Sequence, residues 1–174
     1  MRKNIIYSLL LVVAALFAGC DSRLDIEKHG NMGDQNDFYQ TDEQIEQAVA
    51  SMYSNLKGLY YNWFFTKNLL SDDVWCGGGQ RGDNTSLEQL NEYTYGTDNG
   101  MIQGVFSGLY GLIYQCNLVI EKVADDTPVK KRAIAEAKFF RAWANFELVT
   151  LWGTAPLVDH LLGSDEYRQP NSTP

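Results

Sequence analysis

The side chains best suited to recognition chemistry are concentrated in one short stretch, Val74 to Asn84, which reads VWCGGGQRGDN. Trp75 offers a flat apolar ring, and Arg81, Asp83 and Asn84 offer planar polar groups. A sugar presents both matching surfaces: its ring face stacks on an indole, and its hydroxyls exchange hydrogen bonds with amide, carboxylate and guanidinium groups. The alternative is a Trp75 that simply buries its ring beneath the loop. Gly77, Gly78, Gly79 and Gly82 exclude a helix here. These glycines do not stand between a strand and a helix with a trailing lysine, so the stretch is not a phosphate loop. Asp72, Asp73, Asp83 and Asn84 are oxygen donors, but their spacing is not that of a calcium loop. His29 and His160 each stand alone, and no nucleophile is paired with a base, so a hydrolase reading is weak and no cofactor or metal is implied.

A second reactive residue is Cys20. Arg2 and Lys3 precede the mostly apolar run Ile5 to Phe17, which is short for a membrane span, and the run closes on Leu16-Phe17-Ala18-Gly19-Cys20. Small residues at Ala18 and Gly19 suit a narrow protease cleft, and the thiol that follows can be alkylated by diacylglycerol. The pattern resembles a bacterial lipobox and implies cleavage before Cys20 and lipid attachment to it. A simple secretory signal with a chance cysteine is the alternative. Two or three acyl chains anchor a protein stably where one does not. Asp21 leaves the choice of membrane open. Residues 1–19 then form a signal peptide, and 20–37, polar with Gly30 and Gly33, form a tether.

Charge narrows the partners. The formal net charge is −8, and removal of residues 1–19 leaves 12 basic against 22 acidic residues. This excludes the basic footprint that nucleic acid requires and suits an anionic membrane surface poorly. Neutral ligands such as sugars remain. Hydrophobic residues make up 45% of the chain, enough for a packed core rather than disorder.

The elements that must position the Val74–Asn84 stretch are helices. Thr41-Asp42-Glu43-Gln44 is a capping box, with Phe38 or Tyr39 as its staple, and Ile45, Val49, Met52, Tyr53 and Leu56 follow at helical spacing. The first helix is expected from Thr41 to about Leu59 and a separate, shorter one from about Trp63 to Leu70. The aromatic cluster Tyr60 to Phe65 reads as packing between helices, with a ligand platform as the alternative. One helical turn is expected around Leu87 to Leu90. The next helix, about Met101 to Ala124, carries Val105, Leu109, Ile113 and Asn117 on one face, and Asn117 should find a hydrogen bond on a neighbouring helix. Thr127-Pro128 opens the last helix, which ends at Trp152-Gly153 with Pro156 beyond. Its Ala133, Ala137 and Ala144 are expected to pack closely against Gly104, Gly108 and Gly111 of the preceding helix. Together these two make an antiparallel αα-hairpin, the unit of helical repeat arrays. Cys76 and Cys116 are expected to remain free thiols, a disulfide between them in an exported protein being the alternative, Arg141 to be structural, and His160 to be solvent-exposed.

Identity as well as period carries a family resemblance. Ala135-Glu136-Ala137-Lys138-Phe139-Phe140-Arg141-Ala142-Trp143, continuing to Leu148, Trp152, Gly153, Pro156 and Leu157, resembles the signature of the SusD/RagB family. Leu109-Tyr110, Ile113, Asn117 and Ile120 resemble its preceding helix, with Phe106 where a Trp is common. Cys20 with Leu24-Asp25-Ile26 is similar to its mature start. The resemblance implies an all-α fold of tetratricopeptide-like antiparallel helical hairpins over 38–174, the N-terminal part of a longer body. It implies a binding protein, not an enzyme: a surface lipoprotein of the outer membrane in Bacteroidota-like bacteria. Such a protein captures oligosaccharides, in some members peptides, and delivers them to a SusC-like TonB-dependent transporter. Members of the family are much longer, so the chain resembles an N-terminal fragment or a truncated reading frame with an incomplete ligand site. The signature is structural and transfers no ligand residue. Trp75, Arg81, Asp83 and Asn84 remain the ligand candidates on chemistry alone. The competing readings are a helical-repeat scaffold that binds no ligand and a truncated fragment without function.

Overall fold

The computed structural model describes residues 38–172. Cys20, the signal and tether segments and His29 lie outside the described residues. Four helices occur among these: α1 (Asp42–Leu69), α2 (Thr85–Asn91), α3 (Gly100–Lys122) and α4 (Pro128–Trp152). The all-α expectation is met.

Each long helix starts where the sequence places a cap. Thr41 and Gln44 form the reciprocal capping box of α1. The Asn99 side chain accepts from Met101 and Ile102 at the start of α3, and Thr127 accepts from Lys130 at the start of α4 with Pro128 in the first turn. Such caps satisfy amides that the helix itself leaves unpaired. Gly153 closes α4 with φ 72°, a conformation that side chains with a Cβ resist.

One correction concerns α1. No break separates Leu59 from Trp63: the helix runs unbroken for 28 residues to Leu69. Tyr60-Tyr61-Asn62 contains neither glycine nor proline, so nothing stops propagation once the helix has formed. The aromatic cluster is consequently divided by helical period. Trp63 packs on the main core and Phe65 on a smaller one, while Tyr60, Tyr61 and Phe64 face outward.

The long helices pack as three antiparallel or parallel pairs, and residue pairings give their directions. Along α1 and α3, Met52 meets Cys116, Leu59 meets Gly108 and Asn62 meets Gly104, so these helices run oppositely. Along α3 and α4, Asn117 meets Arg141 and Phe106 meets Trp152, again oppositely. Along α1 and α4, Tyr53 packs on Phe140 and Trp63 on Trp143, so these run together. α3 therefore lies between two partners, which explains why its buried set is wider than a single stripe. Leu109, Leu112, Ile113 and Cys116 are all fully inaccessible.

The glycines of α3 call for a second correction. A Cβ at Gly104 would stand 2.1 Å from the Asn62 amide, one at Gly108 would stand 2.8 Å from a Leu59 methyl, and one at Gly111 would stand 3.3 Å from Asn55. All three contacts are on α1. The expected meeting of α3 glycines with α4 alanines does not occur; the glycines admit α1, while Ala133, Ala137 and Ala144 enter the same core from α4. Three and four residues apart, the glycines share a face, and that face is opposite the side turned to α4.

Asn117 and Glu147, both buried inside the bundle, are paired. Asn117 is fully buried; its side-chain oxygen accepts from Arg141, and its amide donates to the Val158 and His160 carbonyls. Arg141 also donates to the Asp159 carbonyl. The structural role expected of Arg141 is thus observed, and the segment after α4 is clasped onto the body. Glu121 adds a hydrogen bond from the Leu161 amide, and the Ser172 amide donates to the Ala155 carbonyl. His160 is exposed as expected but not isolated, since its ring nitrogens face Asp159 and Glu166 at 2.8 and 3.3 Å. Glu147, buried on α4, accepts from the Trp63 indole at 2.8 Å and pairs with Lys67 at 2.9 Å. None of these helices is long and apolar enough to cross a membrane.

Candidate functional site

The connection from α1 to α3 carries the Val74–Asn84 stretch and projects from the end of the bundle on a small core of its own. Leu87 and Leu90 of α2 bury against Leu69 and Met101, with Phe65, Leu70, Cys76 and Ile102 at its edge. The one expected helical turn is α2 itself, and its two leucines are what dock it.

Three asparagines sew the connection together. Asn84 caps α2 by accepting from the Leu87 amide at 3.3 Å. Asn91 reaches back across the loop, accepting from the Cys76 amide at 3.0 Å and donating to the Val74 carbonyl at 3.1 Å. Buried Asn99 caps α3 and donates to the Ser86 carbonyl and the Gln89 side chain. The Tyr93 phenol donates to the Leu70 carbonyl at 2.8 Å from a residue held at φ 56°. These bonds take up main-chain groups of the connection that would otherwise be unpaired.

The structure separates the four candidate ligand residues. Trp75 stands out from the loop with 78% of its surface exposed, so its ring is not buried beneath the loop. Arg81 shares a groove of about 270 Å³ with it, alongside Gln80, Glu88 and Glu92. The Arg81 guanidinium pairs with Glu92 at 2.7 Å while remaining mostly exposed, an arrangement that orients the group without removing it from solvent. Asp83 and Asn84 are turned to internal work. One Asp83 oxygen accepts from the Gly79 and Gln80 amides at 2.7 and 3.0 Å, and Asn84 serves as the α2 cap. Gly78 and Gly79 make that carboxylate's approach possible, since a Cβ on either would lie 3.2 or 3.3 Å from it.

Glu88 and Glu92 are groove residues that the sequence reading did not single out. Their four-residue spacing on a short helix is the available signal, because it places them on one side. Glu88 also accepts from the Gly82 amide at 2.7 Å, where Gly82 turns the chain at φ 92°. Burial pushes the Cys76 thiol up, and the Glu88 and Glu92 carboxylates push it further. Cys116 is pushed up to about 12 by burial, with Arg141 opposing. Both cysteines are free thiols, and both stay protonated at neutral pH. Among the described residues no group of three metal-ligating side chains is assembled.

What the groove offers is a projecting indole, a guanidinium held by a carboxylate, a second carboxylate and an amide, all on a loop fixed by hydrogen bonds. Such a surface is chemically suited to a polyhydroxylated ligand with an apolar ring face.

Comparison with known proteins agrees with the helical body. A SusD-like family model, described as starch-binding and associating with the outer membrane, matches residues 24–171. A SusD-like protein of Bacteroides ovatus is 32% identical over 166 residues, covering 87% of this chain and 29% of that protein. SusD-like proteins P38 and P2 of Formosa agariphila are 27% and 26% identical, covering 98% and 88% of this chain and 34% and 31% of theirs. The chain thus spans about a third of the length of these curated relatives. No solved structure matches significantly.

Proposed function

The chain belongs to the SusD-like family, and we propose that it is the N-terminal helical part of a lipid-anchored outer-membrane protein that captures nutrient oligosaccharides. Its role is binding rather than catalysis. The observation that carries the reading is Trp75, which projects from a hydrogen-bonded loop next to Arg81, Glu88 and Glu92. An exposed indole on a rigid loop loses little conformational freedom when a sugar ring stacks on it. A ligand hydroxyl can donate to the carboxylates or accept from Arg81 and Gln80. Asp83 and Asn84 contribute by holding the loop in shape. The same reading assigns Cys20 as the lipid-attachment site and a SusC-like TonB-dependent transporter as the partner that receives the ligand.

The direct test is affinity electrophoresis or calorimetry of the full chain and its Trp75→Ala variant on a panel of soluble oligosaccharides. Loss of the indole is expected to weaken binding about tenfold or more, the cost of one well-placed aromatic contact. Equal affinities across the panel would remove the Trp75 groove from ligand binding. Labelled fatty acid should be incorporated into the wild type and not into Cys20→Ala. Co-purification from the membrane fraction tests the transporter.

A scaffold without a ligand is the second reading. It draws on the outward aromatic residues Tyr60, Tyr61, Phe139 and Phe146, which are each more than half exposed. It predicts that Trp75→Ala changes no oligosaccharide affinity.

A further inference from the structure

The connection between α1 and α3 is acidic. Residues 70–99 hold six acidic residues and a single basic one, Arg81. That cation is already engaged, because Glu92 meets its guanidinium at 2.7 Å. Glu92 is the C-cap residue of α2, an end at which a negative charge is unfavourable, and the last turn of that helix has no basic residue. Arg81 is the cation that offsets it. The pair borders both the Trp75 groove and a neighbouring groove of about 360 Å³, to which Thr85, Gln89 and Thr94 contribute. A ligand in either groove therefore meets the pair.

We propose that Glu92 sets the class of ligand, a reading that rests on the Trp75 groove as the ligand site. Its carboxylate occupies the Arg81 guanidinium, so the groove takes uncharged saccharides and refuses those that bear a carboxylate or sulfate. A guanidinium ordinarily receives such anions through its fixed fork of donors. Here a carboxylate of the chain already stands in that place. An acidic sugar has two ways in. It can displace Glu92, which leaves Glu92 and Glu88 beside the incoming charge. It can leave the pair intact, and then it faces two carboxylates with the only cation of residues 70–99 already paired. Both arrangements oppose like charges at short range, and a site rejects a ligand of the wrong sign in this way. A neutral saccharide meets neither obstacle, since a hydroxyl can donate to a carboxylate and accept from a guanidinium.

Both carboxylates are held in place. Glu88, four residues before Glu92, accepts from the Gly82 amide at 2.7 Å. Glu92 has 29% of its side chain exposed against 78% for Arg81, so it is the more enclosed member of the pair. Their charge also reaches into the groove. Cys76 lines it, and its thiol is pushed up first by burial and then by the Glu88 and Glu92 carboxylates.

The test is calorimetry of the full chain and its variants with matched pairs of trisaccharides. One pair is trigalacturonate and the galactose trisaccharide of the same linkage. The other is cellotriose and its form oxidised to the acid at C6. The wild type should bind the neutral member of a pair about three- to tenfold more tightly than the acidic one, the scale of one partly exposed charge contact. Glu92→Gln keeps the shape of the side chain and removes its charge. It should raise the affinity for the acidic member about three- to tenfold and leave the neutral member within about twofold. Adding Arg81→Gln to Glu92→Gln should cancel that gain. A wild type that binds the acidic member as tightly as the neutral one overturns the proposal. So does a Glu92→Gln variant in which the acidic member gains nothing, or in which both members move together. Trp75→Ala should weaken both members of a pair equally. If it changes neither while Glu92→Gln still favours the acidic member, the Trp75 reading fails alone and the role of Glu92 stands.

Discussion

The helical body and the connection between α1 and α3 are held by different forces. The body buries a continuous apolar core, and α3 inside it is packed on both sides. The connection buries a smaller apolar cluster, Leu69, Leu87, Leu90 and Met101, and relies on side chains that bond to main-chain groups. Burial stabilises by about 1.5–3 kcal/mol for each large apolar side chain and is indifferent to direction. Hydrogen bonds contribute about 0.5–1.5 kcal/mol each but fix orientation. The body thus supplies stability, and the connection supplies a surface of defined shape. A candidate site belongs on the second kind of region, because its residues can remain exposed and still be held.

The comparison is broken most severely from within the body. Gly108→Leu forces a side chain into the space taken by Leu59 and should destabilise the fold by about 1–3 kcal/mol. Urea unfolding followed by tryptophan fluorescence measures it. A variant as stable as wild type would mean that α1 and α3 can separate freely.

Asn117→Leu is next. It strips Arg141 of an acceptor and the Val158 and His160 carbonyls of a donor, and should cost about 1–3 kcal/mol. Hydrogen exchange at residues 158–161 should accelerate ahead of global unfolding.

Asn91→Ala sharpens the contrast. It should lower global stability by less than about 1 kcal/mol, since the main core is untouched. The Cys76 amide should exchange faster, and oligosaccharide affinity should fall. Strong global destabilisation would show that the connection is part of the main folding unit.

The smallest effect is electrostatic. Asp159, then Glu166, hold the His160 imidazole above its usual 6.5. The stability this contributes is complete below pH 6.5 and is lost as pH rises through the raised value. Hydrogen bonding by His160 holds Asp159 below its usual 3.8, while Glu166 is held below its usual 4.5 first by the Gly163 amide and then by His160. Their contribution is present above those usual values and is lost as pH falls through the lowered ones. Amide protection at Gly163 should therefore be greatest between about pH 4.5 and 6.5. His160→Gln should remove the loss of protection on the alkaline side.

Much of the body was legible beforehand. The Thr41–Gln44 box, the Thr127-Pro128 start and the Gly153 stop are local signals, and each stands where the spacing puts it. The break expected after Leu59 fails because aromatic residues weaken a helix without ending it. The mistaken partner for the α3 glycines has a different cause. Periodicity shows that Gly104, Gly108 and Gly111 share a face, but not which helix that face meets. In the candidate site, the apolar indole of Trp75 and the planar polar groups of Arg81, Asp83 and Asn84 are evident from residue type. Asp83 and Asn84 turn inward through bonds to the nearby Gly79, Gln80 and Leu87 amides, whereas Arg81 is held by Glu92 eleven residues on, and the loop carrying Trp75 is pinned by Asn91.

Residue order alone determined the capped starts of α1 and α4 and the stop at Gly153, that the fold is helical, and which family signature runs through Ala135 to Pro156, because capping, period and identity are properties of adjacent residues. Tertiary structure decided that α1 fills the glycine face of α3, that Asn117 and Arg141 clasp the segment after α4, and that Thr66 is buried without a partner among the described residues. Those outcomes depend on which surfaces meet across long separations, where packing and hydrogen-bond satisfaction, not local preference, select the arrangement.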